Sequence, residues 1–238
     1  MMLVRMKRTS LGVAAFLVAG GLAGVLGASS AKSDIINETI NQPNSALSGF
    51  TPGYVSLQIN RTDTTHATAT FTSLSSGTTL YRMGDGSTAD LNVAGSFSAA
   101  LGSESGTATG FTPTFSAFSS GQVDGWGNFN LTLDNFDGYG DSATQVVINL
   151  TATGGNSWAD AAHVLTNNGN GANAAAHVFP CAEQAGGNCD ASINTFANQT
   201  GFASNGGTNI PVPEPASLVL LGSSLVGLGF FARRRKSV

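Results

Sequence analysis

Charged side chains are scarce in this sequence, and the shortage of basic residues excludes one class of partner. The chain has 238 residues, of which ten are Lys or Arg and fourteen are Asp or Glu. Seven of the ten basic residues lie within residues 5–8 and 233–236, so residues 32–212 keep three basic and thirteen acidic side chains. The resulting net charge of about −10 repels nucleic acid and anionic headgroups. We therefore expect no nucleic-acid partner.

Catalytic signatures are also lacking. The sequence has no HExxH motif, no Gly-x-Ser-x-Gly motif and no phosphate-binding glycine loop. The only histidines, His66, His163 and His177, have no carboxylate at a fixed metal-binding spacing. Gly84-Asp-Gly86 predicts a turn and not a phosphate-binding loop, because such a loop is followed by a Lys and a helix and this segment is not. We therefore expect a protein that is not an enzyme and has no cofactor, with Ca²⁺ as the one alternative considered below.

An uncharged apolar run lies close to the first residue. Three basic residues within residues 5–8 precede the run from Leu11 to Leu26, and small residues lead up to Ala31. This pattern predicts a signal peptide over residues 1–31 that signal peptidase cleaves after Ala31, with Ala28 as the second choice. The alternative is a helix that stays in the membrane as an anchor.

Residues 212–238 combine three features in a fixed order. A Pro-Glu-Pro motif comes first, an apolar run from Leu218 to Ala232 follows, and four adjacent cations come next. The prolines interrupt any upstream helix, the apolar run can enter lipid as a short transmembrane helix, and the cations favour the cytoplasmic side. The motif is Pro213, Glu214 and Pro215, and the cations that would set membrane orientation are Arg233, Arg234, Arg235 and Lys236.

This tail resembles the sorting tail of PEP-CTERM proteins, a group of exported bacterial proteins. The resemblance implies that an exosortase recognises the tail in the inner membrane and removes it. It also implies delivery to the outer surface or extracellular matrix of a Gram-negative bacterium, in contact with exopolysaccharide and biofilm. The alternative is an ordinary tail anchor that is never processed, and the short apolar span fits both.

Residues 32–197 are predicted to form one all-β domain, a β-sandwich or jelly-roll-like fold. Short runs alternate apolar and polar residues, Gly and Ser mark their junctions, and residues 50–150 show no helical period. A flexible Gly/Asn-rich stalk over residues 198–211 is predicted to join this domain to the tail. The predicted strands are 54–59, 66–74, 78–83, 90–97, 107–118 with an interruption at Pro113, 127–133 and 143–153.

Local patterns predict further details of this domain. Residues 34–52 are predicted to be an N-terminal lead-in, and strands 127–133 and 143–153 to pair as a hairpin with a long tip. A short helix is predicted within residues 158–165. The Ala-Ala-His-Val sequence occurs at 161–164 and again at 175–178, which predicts two strand-like pieces joined by a flexible loop.

The two cysteines, Cys181 and Cys189, are eight positions apart. In an exported protein such a pair predicts a disulfide that closes the intervening loop. The alternative, a redox or metal site, lacks CxxC spacing and further thiols.

Asp134, Asp137 and Asp141 lie in a segment rich in Asn and Gly, and their oxygens could converge on one Ca²⁺ ion. The spacing is not that of an EF-hand. The alternative is an ordinary turn, which uses the same residue types.

Five Trp and Tyr residues are of the kind that stack on sugar rings when exposed, although such residues also pack in cores. The resemblance of the tail, together with the lack of catalytic signatures, leads us to expect a structural or interaction role in exopolysaccharide or biofilm. The alternative is a carbohydrate-binding β-sandwich module, in a calcium-dependent form if the Asp segment binds the ion. The five aromatic residues are Tyr54, Tyr81, Trp126, Tyr139 and Trp158.

Overall fold

The computed structural model describes residues 34–106, 110–135, 138–182, 189–192, 195–196 and 199–208. These residues form β-strands joined by turns and by three short 3-10 helices, at Ser45–Leu47, Tyr139–Asp141 and Ala161–His163. None of the helices in this part of the chain is long and apolar enough to cross a membrane. The strands are β1 Asp34–Ile40, β2 Gln42–Pro43, β3 Val55–Arg61, β4 His66–Ser73, β5 Ser75–Ser76, β6 Thr79–Met83, β7 Ala89–Leu91, β8 Phe97–Ser105, β9 Phe115–Val123, β10 Gly127–Asn135, β11 Gln145–Ala152, β12 Ala174–Ala182 and β13 Gly201–Ser204.

The first sheet is antiparallel, with the strand order β1-β3-β4-β11-β8. Its strands alternate buried and more exposed side chains, as expected for a sheet with one face against a core. Ile59, Ala69 and Ile148 are directly paired across three neighbouring strands, and all three are fully buried. Period-two alternation in the sequence therefore sets which face of this sheet meets the core.

The second sheet is also antiparallel, with the order β2-β13-β12-β7-β10-β9. Strand β12 is its centre, because one edge pairs with β13 while the other pairs first with β7 and then with β6. Side chains from both sheets meet in one large hydrophobic cluster, including Leu57 and Phe71 from the first and Leu133 and Val178 from the second. This β-sandwich-like arrangement confirms the all-β prediction.

The predicted hairpin between residues 127–133 and 143–153 is wrong. Strand β10 pairs with β7 and β9 in the second sheet, whereas β11 pairs with β4 and β8 in the first. The connection between them therefore crosses from one sheet to the other.

Two segments predicted to be irregular are strands. Residues 34–40 form β1, which pairs along its whole length with β3, so they are not a lead-in. Residues 201–204 form β13 beside β12, and Ala203 is fully buried in the main core. The prediction of a flexible stalk is therefore corrected for these residues, because their backbone is paired and their side chains are packed.

The two Ala-Ala-His-Val copies adopt different structures. The first contains the 3-10 helix Ala161–His163, with Asp160 accepting a hydrogen bond from the backbone N–H of His163. The second lies in strand β12. The helix falls inside the segment predicted to be helical, but the prediction of two strand-like pieces is wrong for the first copy.

Candidate functional site

The predicted sorting residues and the signal cleavage site lie outside the described residues. These are Ala31, the motif residues Pro213, Glu214 and Pro215, and the cations at 233–236. Among the described residues, the densest grouping of buried polar groups lies on the second sheet. It occupies the face that points away from the first sheet, which we call the outer face.

Loops cover the central part of the outer face, so many of its side chains are buried although they do not reach the main core. Two small apolar clusters result. One consists of Val123, Trp126, Phe129, Ala172 and Ala175 with Phe202 packed against it, and the other of Phe111, Cys181 and Cys189 with Leu80, Tyr139 and Ala191 packed against it. Strand β12 contributes to the main core and to both small clusters, which explains why eight of its nine residues are buried.

The predicted disulfide is confirmed and lies in the second of these clusters. Cys181 and Cys189 are bonded, with their Cα atoms 6.1 Å apart. The Tyr139 hydroxyl lies 2.9 Å from the Cys189 sulfur, and the Tyr139 and Phe111 rings meet edge to face at 5.1 Å. The bond therefore ties the end of β12 to the loops that cover this part of the outer face.

Arg82 is buried beside the disulfide cluster. Its Nε donates a 2.9 Å hydrogen bond to the Ser142 hydroxyl, and its Nη2 donates to the carbonyls of Gly106 and Ser142. The guanidinium carbon lies 3.5 Å from the centre of the Phe111 ring. Burial lowers the pKa of Arg82 to about 10, so the group stays charged at neutral pH. Arg82 thus holds the covering loops to strand β6.

The aromatic residues predicted to contact sugars are packing residues in this structure. Trp126 and Trp158 are each 1% exposed, and Tyr54 and Tyr81 are equally buried. Trp158 donates its indole N–H to the Ala94 carbonyl at 3.0 Å. Tyr139 is half-buried and is engaged with the disulfide cluster. Because both faces of a buried ring are occupied, the four buried side chains present no stacking surface.

A row of polar side chains crosses the outer face between the two small clusters. Asp90 on β7 is paired directly with Thr132 on β10, which is paired in turn with Ser119 on β9. Directly paired residues point to the same side of a sheet. Asp134, two residues beyond Thr132, therefore shares their face. The row begins next to Ala175, which belongs to the Trp126 cluster.

Asp90 is fully buried, and neither of its carboxylate oxygens accepts a hydrogen bond. Burial raises the pKa of Asp90 well above its ordinary value, and the negative charge of Asp134 raises it further. The Ser87 hydroxyl is near enough to oppose this rise in the Asp90 pKa, but it is not in hydrogen-bond geometry. A carboxylate in this position costs free energy unless a proton or a cation neutralises it.

The turn beside Asp90 has an unusual backbone. Asp85 and Ser87 adopt positive φ angles of 60° and 57°, in the region that L-residues rarely occupy. The backbone N–H of Ser87 donates a 2.7 Å hydrogen bond to Asp134, and the Ser87 carbonyl accepts one from the His177 N–H at 3.0 Å. The turn is therefore fixed to both β10 and β12, one on each side of β7.

His177 extends the polar region along β12. Its ring stacks on Phe202 with 4.2 Å between ring centres, and it is 8% exposed. Its Nδ1 has no hydrogen-bond partner and lies 4.0 Å from the Asp85 carboxylate. Burial lowers the pKa of His177, although the nearby Asp85 charge opposes this change. His66 and His163 lie elsewhere, each beside an aspartate three residues earlier in the chain.

The predicted calcium residues do not all meet in the described structure. Asp134 accepts hydrogen bonds from the Ser87 N–H and, at 3.2 Å, from the Ser119 hydroxyl. Asp141 ends a 3-10 helix, where its carbonyl accepts from the Asn135 side chain at 2.9 Å. Asp137 lies outside the described residues. Across the described ranges, no group of three or more His, Cys, Asp or Glu side chains is arranged to hold a metal ion.

A separate cleft of about 280 Å³ shares no lining residue with the outer-face row. Phe50 and Phe196 meet edge to face at 5.4 Å, and Phe50 meets Tyr81 in the same way at 6.5 Å. The Tyr81 hydroxyl donates to the Thr51 carbonyl at 2.8 Å. The lining residues are Gly49, Phe50, Thr51, Ser76, Thr79, Tyr81, Phe196 and Gln199, none of which is charged.

Sequence reasoning did not identify Asp90 as a site residue. The available signal was a carboxylate at the first position of a predicted strand, followed by apolar Leu91 and Val93. Its burial depends on loops that close over the outer face, which local sequence patterns do not specify.

Comparison with known proteins identifies a motif in the tail. Residues 211–236 match the PEP-CTERM protein-sorting motif. No curated protein and no solved structure gives a significant match to the chain. The motif implies that the chain is exported, transits the membrane and is processed by an exosortase.

Proposed function

We propose that this chain is a surface or extracellular-matrix protein of a Gram-negative bacterium, and that its all-β domain has a structural or interaction role in exopolysaccharide or biofilm. The observation that carries the proposal is the PEP-CTERM sorting motif at residues 211–236. The motif directs the protein to a destination, and the domain performs its role there. That role is non-catalytic in this proposal.

The proposed route uses both terminal segments. Signal peptidase removes residues 1–31 after Ala31, and the apolar run after the motif holds the chain in the inner membrane. The cations at 233–236 keep their end of the span on the cytoplasmic side. The exosortase then recognises Pro213, Glu214 and Pro215 and removes the tail.

The domain has properties that suit an extracellular destination. Its disulfide closes a loop at the covered outer face, and such bonds persist outside the reducing cytosol. The described strands leave few large apolar side chains exposed, with Ile35 at 52% and Leu101 at 36%. A net negative charge limits association with anionic surfaces.

Intact mass of the protein recovered from membranes and from culture medium tests this route in native cells. We expect a species in medium or matrix that lacks both residues 1–31 and the segment after the motif. The matched variant replaces Pro213, Glu214 and Pro215 by Ala and keeps the apolar run and cations. It should remain in the membrane with residues 233–238 intact. A wild-type protein found only in membranes with these residues intact contradicts the proposal.

The aromatic cleft favours a second candidate function, a carbohydrate-binding module. Its walls combine the partly exposed rings of Phe50 and Phe196 with hydroxyl and amide groups and carry no charge, which suits a neutral sugar better than an ion. Retardation of the protein in gels that contain the organism's own polysaccharide tests this role. Phe50→Ala should abolish retardation, whereas Leu101→Ser, on an exposed strand of the first sheet, should not. Equal mobility with and without polysaccharide contradicts it.

A further inference from the structure

We propose that the outer face of the second sheet binds one calcium-like divalent cation, with the carboxylates of Asp90 and Asp134 and the hydroxyl oxygens of Thr132 and Ser119 as ligands. This inference is independent of the proposed sorting and matrix role. It concerns residues in the packed domain and not the tail.

The sheet register brings these four side chains together. Asp90, Thr132 and Ser119 are consecutive pairing partners across β7, β10 and β9, so their side chains stand side by side on one face. The Thr132 and Ser119 hydroxyl oxygens are 2.6 Å apart. Ser119 also donates to Asp134 at 3.2 Å, which places that carboxylate at the same end of the row. The row therefore offers oxygen ligands from three adjacent strands.

Ionised Asp90 requires a counter-charge, because it is buried without a hydrogen-bond donor. Asp90 is fully buried without a hydrogen-bond donor to either oxygen, and Asp134 is its charged neighbour on the same face. The two described arginines are engaged elsewhere, Arg82 with Ser142 and Gly106, and Arg61 with Asp34 of the first sheet. Two carboxylates carry a charge of −2 when ionised, and one divalent cation neutralises both.

The ligand atoms select the class of cation. All four proposed ligands are oxygens, which hard cations such as Ca²⁺ prefer, and no thiol or imidazole belongs to the row. His177 and Asp85 face the region from β12 and the adjacent turn, and they lie 4.0 Å from each other. Ser119 is exposed and Asp134 is partly exposed, whereas Asp90 is buried. The row thus runs from Ser119 at the surface to the buried Asp90.

This site differs from the one predicted from sequence, with which it shares only Asp134. The sequence-based hypothesis took its ligands from one loop, together with Asp137 and Asp141. The present proposal takes them from three strands, of which β9 and β10 are consecutive and β7 is distant from both in sequence. The two alternatives therefore respond to different substitutions.

Calcium titration of the EDTA-treated protein recovered from cells tests the proposal. We expect one Ca²⁺ bound per chain by isothermal titration calorimetry. At free calcium about 100-fold above the Kd, we expect a rise in Tm of about 5 °C or more. Asp90→Asn keeps the side-chain shape and should abolish both effects. Glu104→Gln removes an exposed carboxylate on β8 and should leave both unchanged.

Thr132→Val provides a second variant that leaves both carboxylates in place. It should weaken calcium binding about tenfold, since one ligand is lost. If calcium changes neither the heat signal nor the Tm of the wild-type protein, and Asp90→Asn is at least as stable as wild type, Asp90 is neutralised by a proton and the proposal is overturned. If Asp141→Asn abolishes binding while Asp90→Asn retains it, the ion occupies the loop and the proposal is also overturned.

Discussion

The two sheets of this domain differ in how many of their faces are buried. The first sheet packs one face against the core, and its strands show alternating burial from β1 to β11. The second sheet is buried on both faces at its centre, as the continuous burial of β7 and β12 shows. Its outer face carries loops, the disulfide and the buried polar row. The first sheet therefore serves as a scaffold, whereas the second also presents a covered outer face with buried polar groups.

This difference indicates where function can reside within the described domain. In the first sheet, a substitution at a buried position acts through packing between the sheets. In the second, outer-face residues also contact covering loops and charged groups, as Arg82 and Asp90 do. The covering layer has its own apolar clusters, so substitutions there test its contribution to stability without changing main-core residues.

Replacing buried phenylalanines on the two layers gives the largest expected effect. Phe71 lies in the core between the sheets and Phe129 lies under the loops of the outer face, and both are at most 2% exposed. We expect Phe71→Ala to lower the free energy of unfolding by about 3–5 kcal/mol, because a buried aromatic side chain leaves a cavity. Phe129→Ala should lower the free energy of unfolding by a similar amount if the covering layer is packed as tightly as the main core. Urea unfolding measures both.

If Phe129→Ala leaves the free energy of unfolding nearly unchanged, the two layers are not packed equally tightly. The covering layer would then be loosely attached, and only the main core would determine stability. Leu101→Ala, at a position that is 36% exposed on β8, serves as the control and should change stability little.

Loss of the disulfide should have the next largest effect and should act on the covering layer. Cys181→Ser with Cys189→Ser removes a cross-link over a sequence separation of 8 residues. We expect a loss of about 2–3 kcal/mol in the free energy of unfolding, since the open loop regains entropy in the unfolded chain. Comparing urea unfolding of the wild-type protein with and without reductant should give the same difference. Equal stability in both conditions contradicts a stabilising role for the bond.

Arg82→Lys should have a smaller effect, because it keeps the charge and removes the planar fork of donors. The guanidinium donates hydrogen bonds to Ser142 and Gly106 at the same time, whereas a Lys ammonium group cannot donate to both in the same geometry. We expect a loss of about 2 kcal/mol in the free energy of unfolding. Arg82→Met provides the control for packing over Phe111. If Lys is tolerated as well as Arg, the hydrogen bonds to the loops contribute little.

The sequence allowed the strands to be predicted better than their partners. Alternation located β4 within one residue, because a period of two reports directly which side chains are buried. It did not separate β10 from β11 into different sheets, since alternation identifies a face and not the neighbouring strand. Strand β13 was missed because its Gly and Ser residues carry no strand signal, and it is ordered by pairing with β12.

The candidate site was less accessible to sequence reasoning than the fold. The cysteine pair could be predicted because spacing and export suffice to indicate a disulfide. The polar row could not, because Asp90 and Thr132 are distant in sequence and meet only through the register of β7 and β10. The burial of Trp126 likewise depends on loops folding back over the outer face. Local composition predicts neither the register of β7 and β10 nor the loops that cover Trp126.

The smallest expected effect concerns the first sheet, at the turn between β3 and β4. Asp63 accepts hydrogen bonds from the Thr65 N–H at 2.7 Å and the His66 N–H at 2.8 Å. The hydrogen bond from the Thr65 backbone is the main reason why the pKa of Asp63 falls from 3.8 to about 2. A lowered pKa means that the charged carboxylate stabilises the fold above pH 4, and that this contribution is lost as pH falls through about 2.

Asp63→Asn should therefore lower the Tm slightly at pH 6 and make no difference well below pH 2, because the wild-type carboxyl is then protonated as well. Thermal unfolding across this pH range, followed by circular dichroism, measures the gap between the two proteins. Glu104→Gln, at an exposed position on β8 in the same sheet, controls for the loss of one negative charge. A constant gap at all pH values would assign the effect to altered turn geometry and not to the charge of Asp63. Because this turn is exposed, the gap should also be far smaller than the effect of any substitution under the cover of the second sheet.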